Sequence, residues 1–118
     1  MANMRVTYSN LLVACLLFSL WPSTFADAQS PPEQGKALYD TRCAACHGEK
    51  GKGDGPASAS FPAKSTNFND GKFWSSDAAK LIADAIQKGK GIMPSISMKP
   101  EEIKYVTDYM TRTFKPKR

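Results

Sequence analysis

The stretch Thr41–Pro56, TRCAACHGEKGKGDGP, holds most of the reactive side chains of the chain. It contains Cys43, Cys46 and His47, and this histidine is the only one in the sequence. Such a Cys-x-x-Cys-His pattern is compatible with a disulfide, a redox-active dithiol, part of a zinc site or the attachment site of a c-type haem. The rest of the sequence discriminates among these four chemistries.

Residues 1–28 have the features of a signal peptide. Arg5 supplies a positive charge, Leu11–Leu20 is a mostly apolar run, and a small-x-small pattern ends the segment. The run is too short for a membrane-spanning helix, which needs roughly 20 apolar residues. A lipoprotein signal with an acylated Cys15 is less favoured, because Cys15 lies inside the run. We expect cleavage after residue 28 and one periplasmic domain over residues 29–118.

The size and charge of the chain limit its function further. The chain has 118 residues and a net charge of +5, which suits a single small domain. A domain of this size buries a modest core and often needs a disulfide, metal or cofactor. The positive charge is dispersed and the protein is expected to be exported, so we expect no nucleic-acid partner. No segment of the expected mature domain is long and apolar enough to predict a membrane span.

Hydrophobic periodicity and capping residues predict an all-α fold with three main helices. The predicted helices cover Glu33–Cys46, Ser76–Lys88 and Pro100–Thr113. Ser76 is the expected N-cap of the second helix, and Gly89 is expected to end it. Pro100 with two following glutamates suits the start of the third helix.

Residues 48–72 separate the first two predicted helices and show no clear period. The segment is rich in Gly, Ser, Pro and Asn. About 25 residues without regular structure are uncommon in a compact domain, and such a segment is usually functional. We therefore expect it to wrap a group that is not polypeptide.

These features favour haem c among the four chemistries. Structural zinc needs four ligands, a thioredoxin-type dithiol needs a βαβ unit, and a disulfide explains neither His47 nor the irregular segment. On a helix, Cys43 and Cys46 lie on one face. Both thiols are then placed to form thioethers with the two vinyl groups of one haem, while His47 binds the iron. One covalently bound haem c with its iron is the expected cofactor.

The second axial ligand is expected to be Met93. Met110 lies on the apolar face of the third helix, and Met98 pairs with Ile103 in the pattern of a hydrophobic staple. Met93 lies between two helices and precedes Pro94, which favours an extended backbone. Met98 and the absence of a protein sulfur ligand remain as alternatives.

The chain resembles the class I c-type cytochromes, specifically the small bacterial monohaem cytochromes c. The resemblance covers nearly all of residues 29–118 and rests on Gly35, Tyr39, Cys43-Ala44-Ala45-Cys46-His47, Gly55-Pro56, Met93-Pro94, Glu101-Glu102-Ile103 and Tyr109. It implies the cytochrome c fold, in which the first and last helices cross and a long loop wraps the haem. It also implies that the backbone carbonyl of Pro56 accepts the free N–H of His47.

The function that follows from these expectations is one-electron transfer by a monomeric carrier, and not enzymatic catalysis. A haem closed by His47 and Met93 has no open position for a substrate. The alternatives are a haem subunit of a larger oxidoreductase, or a haem sensor or weak peroxidase if the methionine ligand is absent. Lysines around the haem edge favour redox partner proteins with acidic docking surfaces. Trp74 is a candidate donor to a haem propionate, or else a partly buried aromatic residue.

Overall fold

The computed structural model describes residues 29–75 and 77–117, and this part of the chain is mostly helical. The predicted signal peptide, residues 1–28, and the predicted N-cap Ser76 lie outside the described residues. The described residues form four α-helices: α1 Pro31–Arg42, α2 Ala44–His47, α3 Ala78–Lys88 and α4 Pro100–Phe114. Within the described ranges no strand forms, and Lys90 and Met93 make one isolated bridge. The all-α prediction is confirmed, with α1, α3 and α4 as its three main helices.

Helix α1 is shorter than the sequence predicts. It begins at Pro31, where the carboxylate of Glu33 accepts the backbone N–H of Ser30 at 2.9 Å. It ends at Arg42, because Cys43 leaves the helical region with φ −123° and ψ −38°. The predicted continuation to Cys46 is therefore wrong. The Cys43 carbonyl still accepts the N–H of His47 at 2.9 Å, so a second, four-residue helix begins at once.

The crossing of α1 and α4 depends on Gly35. An ideal Cβ on this residue would lie 2.3 Å from the Tyr105 carbonyl oxygen and 2.8 Å from Tyr109 Cβ. Both distances are far below van der Waals contact, so only a glycine allows this approach of the two backbones. The predicted crossing of the first and last helices is thus confirmed, together with its cause.

Helices α3 and α4 begin and end close to the predicted positions. In α3, Asp77 is the N-cap and Gly89 ends the helix with φ 74°. Asp84 pairs with Lys80 at 2.8 Å and with Lys88 at 2.9 Å, and these cations lower the pKa of Asp84 to about 2. In α4, the Glu102 carboxylate accepts the backbone N–H of Lys99 at 2.7 Å, which satisfies one backbone donor at the start of the helix.

The core lies where α1, α4 and the irregular segment meet. Tyr39 and Val106 are fully buried, and Tyr39 packs against Tyr109 and Phe114 at ring-centroid distances of 5.6 Å and 5.0 Å. The Tyr39 hydroxyl donates to the Gly48 carbonyl at 2.8 Å, which satisfies it inside the core. This bond fixes the start of the irregular segment directly after His47.

In the ranges that the structure describes, every helix is too short or too polar to cross a lipid bilayer.

We predict that Gly35→Ala lowers the free energy of unfolding by about 2 kcal/mol, because the added methyl group forces α1 away from α4. Urea titration of the haem-loaded protein, followed by far-UV circular dichroism, measures this change. Gly71→Ala is the matched control. A Cβ there would meet only Pro116 Cγ, at 4.0 Å, so we expect a change within about 0.5 kcal/mol. Equal stability of the two variants would contradict the close approach at Gly35.

Candidate functional site

A largely apolar cavity of about 270 Å³ lies between α2, α3 and the connection from α3 to α4. Helix α3 contributes one wall with Leu81, Ile82, Ala85 and Ile86. Four of the predicted site residues open onto this cavity: Cys43, Cys46, His47 and Met93. The structure thus brings together the four side chains that were expected to attach the haem or bind its iron.

His47 is held in the protonation state that a metal ligand needs. Its Nδ1 lies 3.2 Å from the carbonyl oxygen of Thr66. A carbonyl only accepts, so Nδ1 carries the hydrogen and Nε2 keeps its lone pair. Burial lowers the pKa of His47, and the hydrogen bond to Thr66 opposes this shift only in part. The imidazole is therefore neutral at neutral pH, and its free nitrogen is available to a metal.

The partner of His47 Nδ1 differs from the one that the family resemblance implied. The expected acceptor was the carbonyl of Pro56, and the structure has the carbonyl of Thr66 in its place. Pro56 is the first residue of a 3₁₀-helix, Pro56–Ser60. Carbonyl groups in such a helix point along its axis towards residues three positions ahead, and so away from a neighbouring side chain.

Two short segments place Thr66 beside His47. The N–H of Gly53 donates to the His47 carbonyl at 2.8 Å, and the N–H of Phe68 donates to the Gly51 carbonyl at 2.7 Å. The segments approach so closely that a Cβ on Gly53 would lie 2.3 Å from the Ser65 carbonyl oxygen. Gly53 also has φ 77°, a conformation that other residues rarely adopt. The sequence showed these glycines but not which distant segment they would meet.

Phe68 packs on the His47 ring. The two rings are stacked at a centroid distance of 4.6 Å and an interplanar angle of 27°. Phe68 is buried and also contacts Phe73 edge-on at 5.1 Å. The contact of Phe68 with His47 was not predicted, because an isolated aromatic residue in an irregular segment gives no local signal of its packing partner.

Met93 is positioned by a tight turn after α3. Lys90 and Met93 exchange two backbone hydrogen bonds, of 2.9 Å and 3.0 Å. Gly91 makes the turn possible with φ 58°. The N–H of Ile96 then donates to the Ile86 carbonyl at 2.7 Å, which ties the segment after Met93 to the end of α3. These bonds hold the half-buried Met93 side chain at the cavity.

The other two methionines of the domain have different surroundings. Met98 is partly buried, packs against the core and does not line the cavity. Met110 is buried in the core and also forms part of the cavity wall. Met93 and Met110 therefore both reach the cavity, and Met93 is the one that lies in an irregular segment.

The two cysteines differ in their surroundings. Cys43 is buried, which raises the pKa of its thiol to about 11, whereas Cys46 is half-buried. Both are free thiols, and both open onto the cavity. In residues 29–75 and 77–117, no cluster of three or more His, Cys, Asp or Glu side chains is arranged to hold a metal ion. This arrangement does not support a structural zinc site.

Trp74 has a structural role in this arrangement. Its indole N–H donates to the Phe68 carbonyl at 2.6 Å, and the residue is not among those that line the cavity. The indole N–H of Trp74, which was a candidate donor to a haem propionate, therefore already has a backbone acceptor. The bond holds the backbone of Phe68, the residue that stacks on His47.

The donor set suits a haem. Two thiols that are three positions apart, a neutral imidazole and a thioether open onto one cavity, and no carboxylate is among the residues that line it. Sulfur and imidazole donors are those that bind haem iron in proteins, and an apolar wall suits a flat aromatic ring. The residues present therefore fit a covalently attached haem c.

We predict that Phe68→Ala lowers the free energy of unfolding by about 3 kcal/mol, because it removes a buried ring that packs on His47 and Phe73. The matched control is Phe61→Ala, since Phe61 also lines the cavity but is 38% exposed. We expect the control to lose less than about 1 kcal/mol. Urea titration of the haem-loaded variants measures both values, and an equal loss in the two would contradict the supporting role of Phe68.

Comparison with known proteins identifies the family. The family model described as Cytochrome c matches residues 32–113, which include most of α1 and of α4, the Cys-x-x-Cys-His motif and the cavity. Neither the comparison with curated proteins nor the comparison with solved structures gave a match. The family match covers more than half of the chain and agrees with the helical fold and the donor set at the cavity. The chain therefore belongs to the cytochrome c family.

Proposed function

We propose that the chain is a periplasmic one-electron carrier with a single haem c, whose iron is bound by His47 and Met93. Membership of the family establishes a covalently bound haem c, its iron and electron transfer to redox partners. The observation that carries the finer proposal is the convergence of Cys43, Cys46, His47 and Met93 on one apolar cavity. Each of these side chains has a separate role.

Cys43 and Cys46 anchor the haem through two thioether bonds. Their sulfurs come from the two ends of the Cys43–Cys46 turn, which His47 directly follows. A covalent anchor at this point compensates for the small core of the domain, which would otherwise have to retain the haem by burial alone. Because the anchor and the iron ligand are adjacent in sequence, attachment also brings the iron to His47.

His47 and Met93 would hold the haem iron. The Thr66 carbonyl and the Phe68 ring hold the imidazole, and the Lys90–Met93 turn holds the methionine at the same cavity. When bound, the haem iron exchanges one electron between its ferric and ferrous states. Ligation by His and Met, with burial among apolar side chains, favours the ferrous state and raises the reduction potential. A closed site favours electron exchange over substrate binding.

The surroundings of the cavity support docking of a protein with an acidic surface. Lys64 and Lys90 line it, and no Asp or Glu does. Three large apolar residues also line the cavity and are partly exposed: Phe61 at 38%, Leu81 at 44% and Ile92 at 46%. An apolar centre with basic residues around it matches the usual anatomy of a protein interface. We propose that redox partners dock there on a monomeric carrier.

Export to the periplasm rests on the signal-peptide features of residues 1–28. N-terminal sequencing of the haem-loaded protein tests this part of the proposal. A mature chain that begins near Gln29 would support it, and a retained segment would contradict it.

We predict that Met93→Ala abolishes the weak red charge-transfer band of the oxidised protein, because that band reports an iron–sulfur(Met) bond. The visible spectrum of the haem-loaded protein measures it. Met98→Ala is the control, since Met98 packs against the core and does not line the cavity, and we expect it to keep the band.

Other results of this experiment would change the proposal. Retention of the band in Met93→Ala and its loss in Met98→Ala or Met110→Ala would reassign the ligand. Absence of the band in the wild type, together with ready binding of carbon monoxide, would favour a haem sensor or weak peroxidase. Co-purification with a large subunit would favour a subunit of an oxidoreductase complex over a free carrier.

We predict that Cys43→Ala and Cys46→Ala each retain haem through one thioether bond. The remaining vinyl group extends the conjugation of the ring, so the α band of the pyridine haemochrome should move to longer wavelength. The double variant should lose its haem on a denaturing gel. Thr41→Ala, at an exposed position of α1, is the control and should have the wild-type band. An unchanged band in either single cysteine variant would contradict the attachment.

A further inference from the structure

The plane of the His47 imidazole is held by two contacts that act in different directions. The Thr66 carbonyl oxygen lies 3.2 Å from Nδ1, at the edge of the ring, and the Phe68 ring stacks on the face at a centroid distance of 4.6 Å. The outer side-chain torsion of a histidine has broad energy minima, so the ring has little rotational preference of its own. The two contacts therefore decide its orientation.

Both contacts come from residues 66–68, which belong to no helix or strand. Phe68 is fixed instead through both of its backbone polar groups. Its N–H donates to the Gly51 carbonyl at 2.7 Å, and its carbonyl accepts the indole N–H of Trp74 at 2.6 Å. The side chain of Trp74 thus supplies one of the two bonds that hold the backbone of Phe68.

Trp74 is suited to this task because its own position is well fixed. It is half-buried and packs against the core, and its ring meets Phe73 edge-on at 5.1 Å. Its backbone N–H donates to the Gly71 carbonyl at 3.2 Å. Without the indole donor, the Phe68 carbonyl would lose its partner at a partly buried position. An unpaired carbonyl in such a place is costly, so residues 66–68 would shift to regain a partner.

We propose that Trp74 is a positioning residue for the iron ligand His47. Its indole N–H holds the Phe68 carbonyl, residues 66–68 hold the edge and the face of the imidazole, and the plane of that ring at the iron follows. This role rests on the proposed function in one respect, that His47 binds the iron, and it does not depend on Met93. Groups that orient a ligating histidine also tune the metal. Trp74 therefore influences the reduction potential, although it does not line the cavity.

The test compares two replacements of Trp74 with one matched control. Trp74→Phe removes the indole donor and keeps an aromatic ring. The control Ser58→Ala also removes a bond of 2.6 Å from a side chain to a backbone carbonyl of the irregular segment, that of Gly55, and Ser58 does not line the cavity. Far-UV circular dichroism and the visible spectrum verify that each variant folds and carries haem.

The second replacement removes the donor alone and serves if Trp74→Phe does not fold. Trp74 is the only tryptophan in residues 29–118. Growth of a tryptophan auxotroph on benzothienylalanine therefore changes only this position of the expected mature domain. This analogue has the shape of tryptophan, with sulfur in place of the indole N–H.

Proton NMR of the ferric, haem-loaded protein with cyanide bound measures the orientation of the imidazole. Cyanide takes the position opposite the histidine and has no plane of its own, so the pattern of haem methyl resonances reports the imidazole plane alone. The reduction potential is measured beside it, without cyanide. We expect both replacements of Trp74 to change the methyl pattern and to shift the potential, and Ser58→Ala to keep the wild-type pattern and potential.

Three results would overturn the proposal. They are a methyl pattern that both Trp74 replacements leave unchanged, a shift of the potential without a change in that pattern, and an equal change in Ser58→Ala. The same spectrum separates this failure from that of the proposed function, because ring protons of a histidine bound to ferric iron are strongly shifted. Their absence would reject His47 as the ligand and both proposals with it. Their presence beside an unchanged methyl pattern would reject only the role of Trp74.

Discussion

The close approach of α1 and α4 at Gly35 is the constraint on which the rest of the domain depends. It brings Tyr39 against Tyr109 and Phe114, so that one small aromatic core forms between the two helices. The Tyr39 hydroxyl then fixes the Gly48 carbonyl, immediately after His47. The backbone position of His47, which we propose as an iron ligand, is therefore set by helix packing and by a buried hydrogen bond.

Helix α3 forms one wall of the cavity, but irregular connecting segments position His47 and Met93 at it. The approach of segments 51–53 and 65–68 gives His47 its hydrogen-bond acceptor and its stacking partner. In the connection after α3, a turn with two hydrogen bonds and one further bond to the end of α3 hold Met93. Backbone hydrogen bonds carry most of this positioning, which suits a site whose geometry should change little when an electron is gained or lost.

The positive charge of the protein is distributed according to how its lysines are paired. Lysines on helices have an aspartate one turn away, whereas lysines in the connecting segments do not. Apart from Lys99 at the start of α4, the lysines without an ion pair in the described residues therefore lie around the cavity and near the C-terminal end of α4. In our proposed function, the surface around the cavity combines basic and apolar residues and receives the redox partner.

The sequence by itself determined the family, the all-α class and most of each main helix. Cys43, Cys46 and His47 lie close together in the sequence. The apolar periods of α3 and α4 are also local patterns, which need no tertiary information. Tertiary structure decided what those patterns could not contain. It ended α1 at Arg42, where Cys43 turns into the core, and it gave His47 the acceptor Thr66 instead of Pro56. It also selected Phe68 as the stacking partner and used the Trp74 indole for the backbone. These contacts join residues that are distant in sequence through an irregular segment, and no local period or propensity specifies which residues will meet.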